Sequence, residues 1–193
     1  MPNIKLIITI LNSPRMIFHL IFFIIFYNKI KDDVCVAMRH RSYNCGVVLG
    51  FMYLLVFDKT YRNLFYYRIG KWHYLIYYIF PPHDSFVIAT KQEVGKGFLC
   101  IHPIATFVNA QNIGRNFVVK NSCTIGENRG RPKIGNNVII NANSVVVGDI
   151  TIGNNVVVGT GTVLMKSVPD DCVVIGNPAY IKKKDGKIVN LKL

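Results

Sequence analysis

The sequence predicts a mainly β fold: a coil of short parallel strands wound around one apolar prism, preceded by an α-helical N-terminal segment. Three observations predict it. Aliphatic residues recur at every sixth position through the second half of the chain. The turn IGNN occurs at Ile134 and again at Ile152, 18 residues on. Upstream of Pro81-Pro82 the apolar spacing is helical instead.

Ile134, Ile140, Val146, Ile152, Val158 and Leu164 are each six apart, as are Ile101, Phe107, Ile113, Val119 and Ile125. An earlier step of six joins Ile88 to Val94, and the step from Val94 to Ile101 is seven. The step from Ile125 to Ile134 is nine, which marks three inserted residues near ENRGRPK. A six-residue period suits neither an α-helix nor a hairpin sheet, which would alternate with a period of two. It suits strands that each turn one aliphatic side chain inward, with Gly and Asn taking the tight turns between them. A spacing of three hexads between like turns makes the coil three-sided. No rung is stable alone, so the rungs stack. Four to five coils fit between Ser85 and Asp170.

The first part, residues 1–82, reads as helical. CGVVLGFMYLLVF and YRNLFYYRIG carry apolar residues near helical spacing, Asp58 and Thr60 suit a helix start, and Gly70 suits an end. Pro81-Pro82 stops helical structure. Residues 83–193 form the second part and end in a basic tail, KKKDGK, that reads as a solvated charge run or as a phosphate-binding group. The segment 1–31 is apolar. Met16–Tyr27 is too short to span a bilayer alone, and Asn12–Arg15 interrupt its extension. No small-residue cleavage site precedes Lys29–Asp33, so the segment does not read as a signal peptide. It is a candidate for lying on a membrane, with Lys29 and Lys31 at the headgroups, or for packing on a partner.

Composition bounds the function. The net charge is +13, from 23 Lys and Arg against 10 Asp and Glu. That suits a polyanion, an anionic membrane or a phosphorylated cofactor. There is neither a zinc-finger spacing nor a stacking platform, so nucleic acid is not the expected partner. Five cysteines without a CxxC argue for a reducing cytoplasm rather than a disulfide framework. No metal is expected, because the repeat holds only His102, with His83 before it.

The parts VGKGFLCIHPIATFV, the hexads from Ile134 to Leu164, and KSVPDDCVVIGNPAYIKK together resemble the hexapeptide-repeat acyltransferases. Within them the chain resembles the serine acetyltransferase-like branch and is also similar to polysaccharide-biosynthesis O-acetyltransferases. The resemblance implies a left-handed parallel β-helix and a homotrimer with active sites between subunits. It implies transfer of an acetyl group from acetyl-CoA to a small hydroxyl-bearing acceptor, either L-serine or a sugar of a surface polysaccharide precursor. A scaffold whose catalysis has decayed is the alternative from another class.

By the same resemblance His102, five residues after Gly95-Lys96-Gly97, is the catalytic base. An alcohol needs a base to take its proton as it attacks, and imidazole titrates in the right range. Ala142 and Thr160 match positions whose backbone meets the pantetheine arm, and Lys166 and Lys183 match basic positions near the CoA phosphates, with Lys182 and Lys184 beside them. The chain departs from the pattern in three places. Val87 stands where a carboxylate orients the histidine, with Asp84 out of register. Ile101 stands where a second carboxylate helps hold serine. Arg131 replaces a second histidine and becomes the candidate acceptor-binding residue. With Ile101 and Phe107 taken as inward, His102 is expected to project away from the prism. Cys100, two residues before it, would then share a strand face with it and offer a Cys–His pair.

Overall fold

The computed structural model describes residues 3–193. It divides into two compact units, the first ending at Asp84 and the second running from Ser85 to Leu193. The expected class is present: a helical region followed by a parallel β-solenoid.

Among the described residues the first unit contains five α-helices: α1 (Asn3–Leu11), α2 (Ile17–Ile25), α3 (Tyr27–His40), α4 (Val47–Phe57) and α5 (Lys59–Ile69). Pro14 sits in a 3-10 turn, Ser13–Met16, that separates α1 from α2. The Asp58 side chain caps α5, accepting from the N–H groups of Thr60 at 3.0 Å and Tyr61 at 2.9 Å. Gly70 ends α5 with φ +59°. The core is aromatic, with Phe23 stacked on Phe51 at 4.4 Å and Phe65 edge-on to Phe51 at 5.0 Å.

Three buried polar groups fix this unit. Arg68 grips Asp33 at 2.7 and 3.1 Å. The Arg62 guanidinium donates to the carbonyls of Leu55, Val56 and Pro81 at 2.7 to 2.8 Å, which satisfies carbonyls at the end of α4. His19 is fully buried. Tyr66 donates its hydroxyl to the Phe80 carbonyl at 2.7 Å, so His19 Nε2, 3.0 Å from the Tyr66 oxygen, is the donor of that pair. Its Nδ1 has no partner among the described residues. Burial, reinforced by the Arg62 charge, lowers the His19 pKa from 6.5 to about 4.

The second unit is built on three faces. One has five strands: Phe86–Ile88, Thr106–Val108, Thr124–Gly126, Val145–Val147 and Val163–Leu164. One has three: Asn112–Ile113, Lys133–Ile134 and Thr151–Ile152. The third has seven, beginning with Leu99–Cys100, Val118–Val119, Ile139–Ile140, Val157–Val158 and Cys172–Ile175. The inward side chains form three columns: Ile113–Ile134–Ile152, Val119–Ile140–Val158–Val174 and Val108–Ile125–Val146–Leu164. Nearly all are sealed from water.

The corner after the three-stranded face explains the IGNN turns. Gly114 and Gly135 stack so closely that a Cβ on Gly114 would lie 2.5 Å from the Gly135 carbonyl. One residue on, Asn154 Oδ1 accepts the Asn136 N–H at 2.9 Å, and Asn136 Oδ1 accepts the Arg115 N–H at 2.8 Å. The second Asn takes positive φ, and these side chains form a ladder, Asn116 to Asn137 to Asn155 to Asp171, at 2.8 to 2.9 Å.

The structure corrects the register of the first coil. Val94 bridges Ile113, Cys100 pairs with Val119, and Val108 pairs with Ile125. Cys100, not Ile101, therefore holds the inward position six after Val94, and Val108, not Phe107, holds the next. Phe107 points outward and is 40% exposed. Its six-residue spacing from Ile113 is a coincidence of a two-residue insertion followed by a one-residue deletion. The basic tail is also not a free run. Tyr180–Lys184 and Lys187–Lys192 form an antiparallel hairpin on the seven-stranded face, turning at Asp185-Gly186 with both residues at positive φ. Asp-Gly between alternating residues is the signal for it.

Two outcomes follow from this packing. Gly135→Val places a Cβ 2.7 Å from the Gly153 carbonyl oxygen, and thermal denaturation is expected to show a loss of about 1–3 kcal/mol. Gly126→Ala, with nothing within 4 Å of the added carbon, should change stability by less than about 0.5 kcal/mol. For His19, the unfolded chain binds a proton at 6.5 and the folded one only near 4, so stability falls as pH drops from 6.5 towards 4 and its contribution is constant below. His19→Phe should flatten the pH dependence of the melting temperature across that window.

Candidate functional site

The site is built at the corner between the seven-stranded and five-stranded faces. Each strand of the seven-stranded face hands its next N–H to the following coil: Ile101 to the Val119 carbonyl at 2.9 Å, Lys120 to Ile140 at 3.1 Å, Asn141 to Val158 at 3.0 Å. So Ile101, Lys120 and Asn141 stack. The next bonds of the ladder run from Ser122 N–H to the Ile104 carbonyl at 2.8 Å, Asn143 to Asn121 at 3.1 Å, and Gly161 to Ala142 at 3.0 Å. These place Ile104, Asn121, Ala142 and Thr160 in one column. His102 and Pro103 are left over, a two-residue bulge unique to this coil of the corner.

The bulge is what presents the histidine. His102 has φ +48° and Ala105 φ +50°, and the Ile104 N–H returns to the His102 carbonyl at 2.7 Å, closing a three-residue turn. The imidazole is exposed. His102 therefore faces away from the prism, but because it stands on the bulge rather than because it neighbours an inward Ile101. Cys100 is the last residue of its strand and fills the inward column, so the two do not share a strand face. That removes the geometric basis of a Cys–His pair.

A feature not read from the sequence braces this corner. Thr106, Cys123, Ser144 and Thr162 are buried beneath it. Thr106 Oγ1 donates to the Lys120 carbonyl at 3.2 Å, Cys123 Sγ to Asn141 at 3.1 Å, and Ser144 Oγ to Gly159 at 2.9 Å. Their signal is a small polar residue two before each of Val108, Ile125, Val146 and Leu164.

The corner thus joins His102 with the column that carries Ala142 and Thr160. At about 4.8 Å per coil, they lie roughly 10 and 14 Å along the solenoid from the first coil's corner. The other candidates stand elsewhere. Arg131 Nη1 reaches Asn109 Oδ1 at 3.5 Å, at the far end of the five-stranded face from His102, a strand of three residues or about 10 Å away within one chain. Lys166 lies after the last strand of that face, where its Nζ donates to the Leu193 carbonyl at 2.6 Å. Lys183 is exposed on the hairpin and pairs with Val173, while Tyr180 of the same strand lies nearer the corner column. Val87 is exposed on the five-stranded face beside Phe107. Among the described residues there is no group of three or more His, Cys, Asp or Glu that would hold a metal ion. Because His102 is exposed on a turn, His102→Ala should shift folding stability by no more than about 0.5 kcal/mol in a thermal melt.

Comparison with known proteins agrees with the fold. Residues 131–166 match the family described as bacterial transferase hexapeptide (six repeats). A protein of Escherichia coli K12 named as a colanic acid biosynthesis acetyltransferase, WcaB, is 38% identical over 103 residues, 51% of this chain and 64% of its own length. A serine acetyltransferase of Staphylococcus xylosus is 35% identical over 101 residues, 49% of this chain and 47% of its own. The chain spans less than two thirds of the length of these relatives. The crystal structure of serine acetyltransferase from Brucella abortus superposes with a TM-score of 0.68 at 22% identity, covering 92% of this chain and 75% of that one. The segment 131–166 is a bacterial transferase hexapeptide repeat, and the chain that carries it is serine acetyltransferase-like in fold.

Proposed function

We propose that the protein is an acetyl-CoA-dependent O-acetyltransferase with His102 as its general base. The observation that carries this is the two-residue bulge, which sets one exposed imidazole on the corner whose column holds Ala142 and Thr160. The acceptor hydroxyl attacks the thioester carbonyl while His102 takes its proton. The tetrahedral oxyanion is met by backbone N–H groups at the coil edge. The carbon–sulfur bond then breaks, and the imidazolium returns the proton to the CoA thiolate. Lys166 and Lys183 serve the CoA phosphates. In this reading the protein works in the cytoplasm, since five cysteines without a CxxC suit a reducing compartment.

The acceptor we favour is a sugar hydroxyl of a polysaccharide precursor. Ile101 stands where a carboxylate would help hold serine's ammonium group, and a sugar needs no partner for such a group. The relative named for colanic acid biosynthesis supports the same choice. L-Serine is the second reading, supported by the serine acetyltransferase relatives.

The chain works as a homotrimer in this reading, with Arg131 of one subunit meeting the acceptor at a neighbour's His102. The outward column of the five-stranded face supports it. Val87, Phe107, Val145 and Val163 stack there around a single Thr124, where a solvated face would be polar.

Thiol release from acetyl-CoA, measured with L-serine and with a panel of nucleotide sugars, tests the acceptor. Turnover with a sugar only is expected, and turnover with serine only reverses the choice. His102→Ala should lower kcat by about 10²- to 10⁴-fold, and an unchanged rate removes His102 as the base. A scaffold that has lost catalysis would show no rise in melting temperature at saturating CoA.

A further inference from the structure

Helices α1 and α2 carry most of their aliphatic residues on the outside. Thr9 and His19, both polar, are buried, while Ile4, Ile7, Ile8, Ile10 and Leu11 of α1 and Ile17, Phe18, Ile21, Ile24 and Ile25 of α2 are exposed. At 100° per residue the exposed positions of α2 fall within one arc of about 120°, and those of α1 within about 160°. The inward side of α2 is already complete, filled by Met16, His19 and Phe23. So the outer arc is not a misplaced core face. It is a second apolar face with nothing of this unit covering it, far beyond the scattered exposed aliphatics of an ordinary surface.

An aromatic band continues this face. The 3-10 turn Gly70–Leu75 and the residues after it lie against α2: Trp72 is 6.1 Å from the Phe22 ring, and Arg15 donates to the Ile79 carbonyl at 3.2 Å. Trp72, Tyr74, Tyr77 and Tyr78 are all 44–69% exposed. Rings with an apolar body and one polar atom settle where hydrocarbon meets water.

The charges select the occupant. Residues 1–31 contain Lys5, Arg15, Lys29 and Lys31 and no Asp or Glu. Lys29 lies over the Phe26 ring at 5.8 Å, Lys31 over Tyr27 at 5.6 Å and Lys71 over Trp72 at 5.7 Å, so each stem runs along the apolar face with its ammonium at the edge. A second copy of this chain would bring the same positive charges to a two-fold contact, which opposes it. An anionic bilayer surface complements them. No single helix among the described residues is long and apolar enough to cross a membrane, and α1 and the Ser13–Ile25 stretch meet at 59°. That bend suits helices lying in the interface.

We propose that this face, formed by α1, α2 and the aromatic band at Trp72–Tyr78, docks the protein on an anionic phospholipid surface without spanning it. The proposal stands on the first unit alone and does not depend on the transfer reaction.

Co-sedimentation of the whole chain with vesicles tests it. The vesicles are phosphatidylcholine alone, or phosphatidylcholine with phosphatidylglycerol. The chain should partition into the anionic vesicles at least tenfold more strongly, and added salt should weaken that partitioning. Phe18→Glu and Ile24→Glu, at exposed positions that leave the core intact, should each abolish it with an unchanged far-ultraviolet spectrum. Lys29→Glu with Lys31→Glu should reduce it by about tenfold or more. Equal partitioning into both vesicle types overturns the charge selection. No partitioning, with Phe18→Glu instead dissociating an oligomer in sedimentation velocity, overturns the lipid assignment and gives the face to a second copy.

Discussion

The solenoid depends on how closely one corner stacks on the next. At the IGNN corner, adjacent backbones approach until a side chain on Gly114 or Gly135 has no room. The Asn that follows uses its side chain to accept the N–H of the previous coil, and the next Asn bonds its own counterpart. Each bond is worth only about 1 kcal/mol net, but the ladder runs from Asn116 through Asn137 and Asn155 to Asp171 and adds to the backbone bonds between coils.

That corner and the candidate site are different solutions to the same bend. The IGNN corner is braced from outside by amides in water's reach. The corner beside His102 is braced from beneath, by Thr106, Cys123 and Ser144 donating to carbonyls of the following coil. Bracing from beneath leaves few structural side chains on that corner, Asn141 Nδ2 donating to the Val158 carbonyl at 2.8 Å being one of them. A bulge there disturbs nothing, and the column of Ile104, Asn121, Ala142 and Thr160 stays open along its length. The position of the site is thus a consequence of which corner keeps its hydrogen bonds inside.

Much of this was legible because repetition makes errors visible. From Ile113 to Leu164 every inward position is an aliphatic, and the three-residue insertion before Ile134 shows as one break in the count. The first coil was not legible for a physical reason. In the first coil Cys100 and Ile88 are half-buried, and its inward positions are less uniform than those of the inner columns. Phe107 then offered a better-looking aliphatic spacing than Val108, and the bulge at His102 was absorbed into a false slip. The hairpin from Tyr180 carries its signal in Asp185-Gly186, but the five lysines around that turn read equally as a charge run. The placement of His102 away from the prism was foreseen, though its cause was the bulge. The apolar first segment was visible in composition, while its inverted packing, with Thr9 and His19 turned in and isoleucines turned out, follows from α2 having a second side that no sequence period distinguishes from a core.

Two of the irregular places in the solenoid, His102-Pro103 and the loop at Glu127–Arg131, are added lengths of chain, and both fall at corners. Within a strand an extra residue would reverse every side chain downstream, inside to outside. At a corner it leaves the next strand in phase, because the stacking bonds resume at Ile104 in one case and at Pro132, whose carbonyl takes the Gln111 N–H at 2.8 Å, in the other. Loop length at a corner is therefore a coordinate that can vary while the rest of the coil stays constant. A lineage of such proteins is able to change what it recognises by lengthening or shortening a turn, one coil at a time, with its stability carried by residues that never take part in the choice.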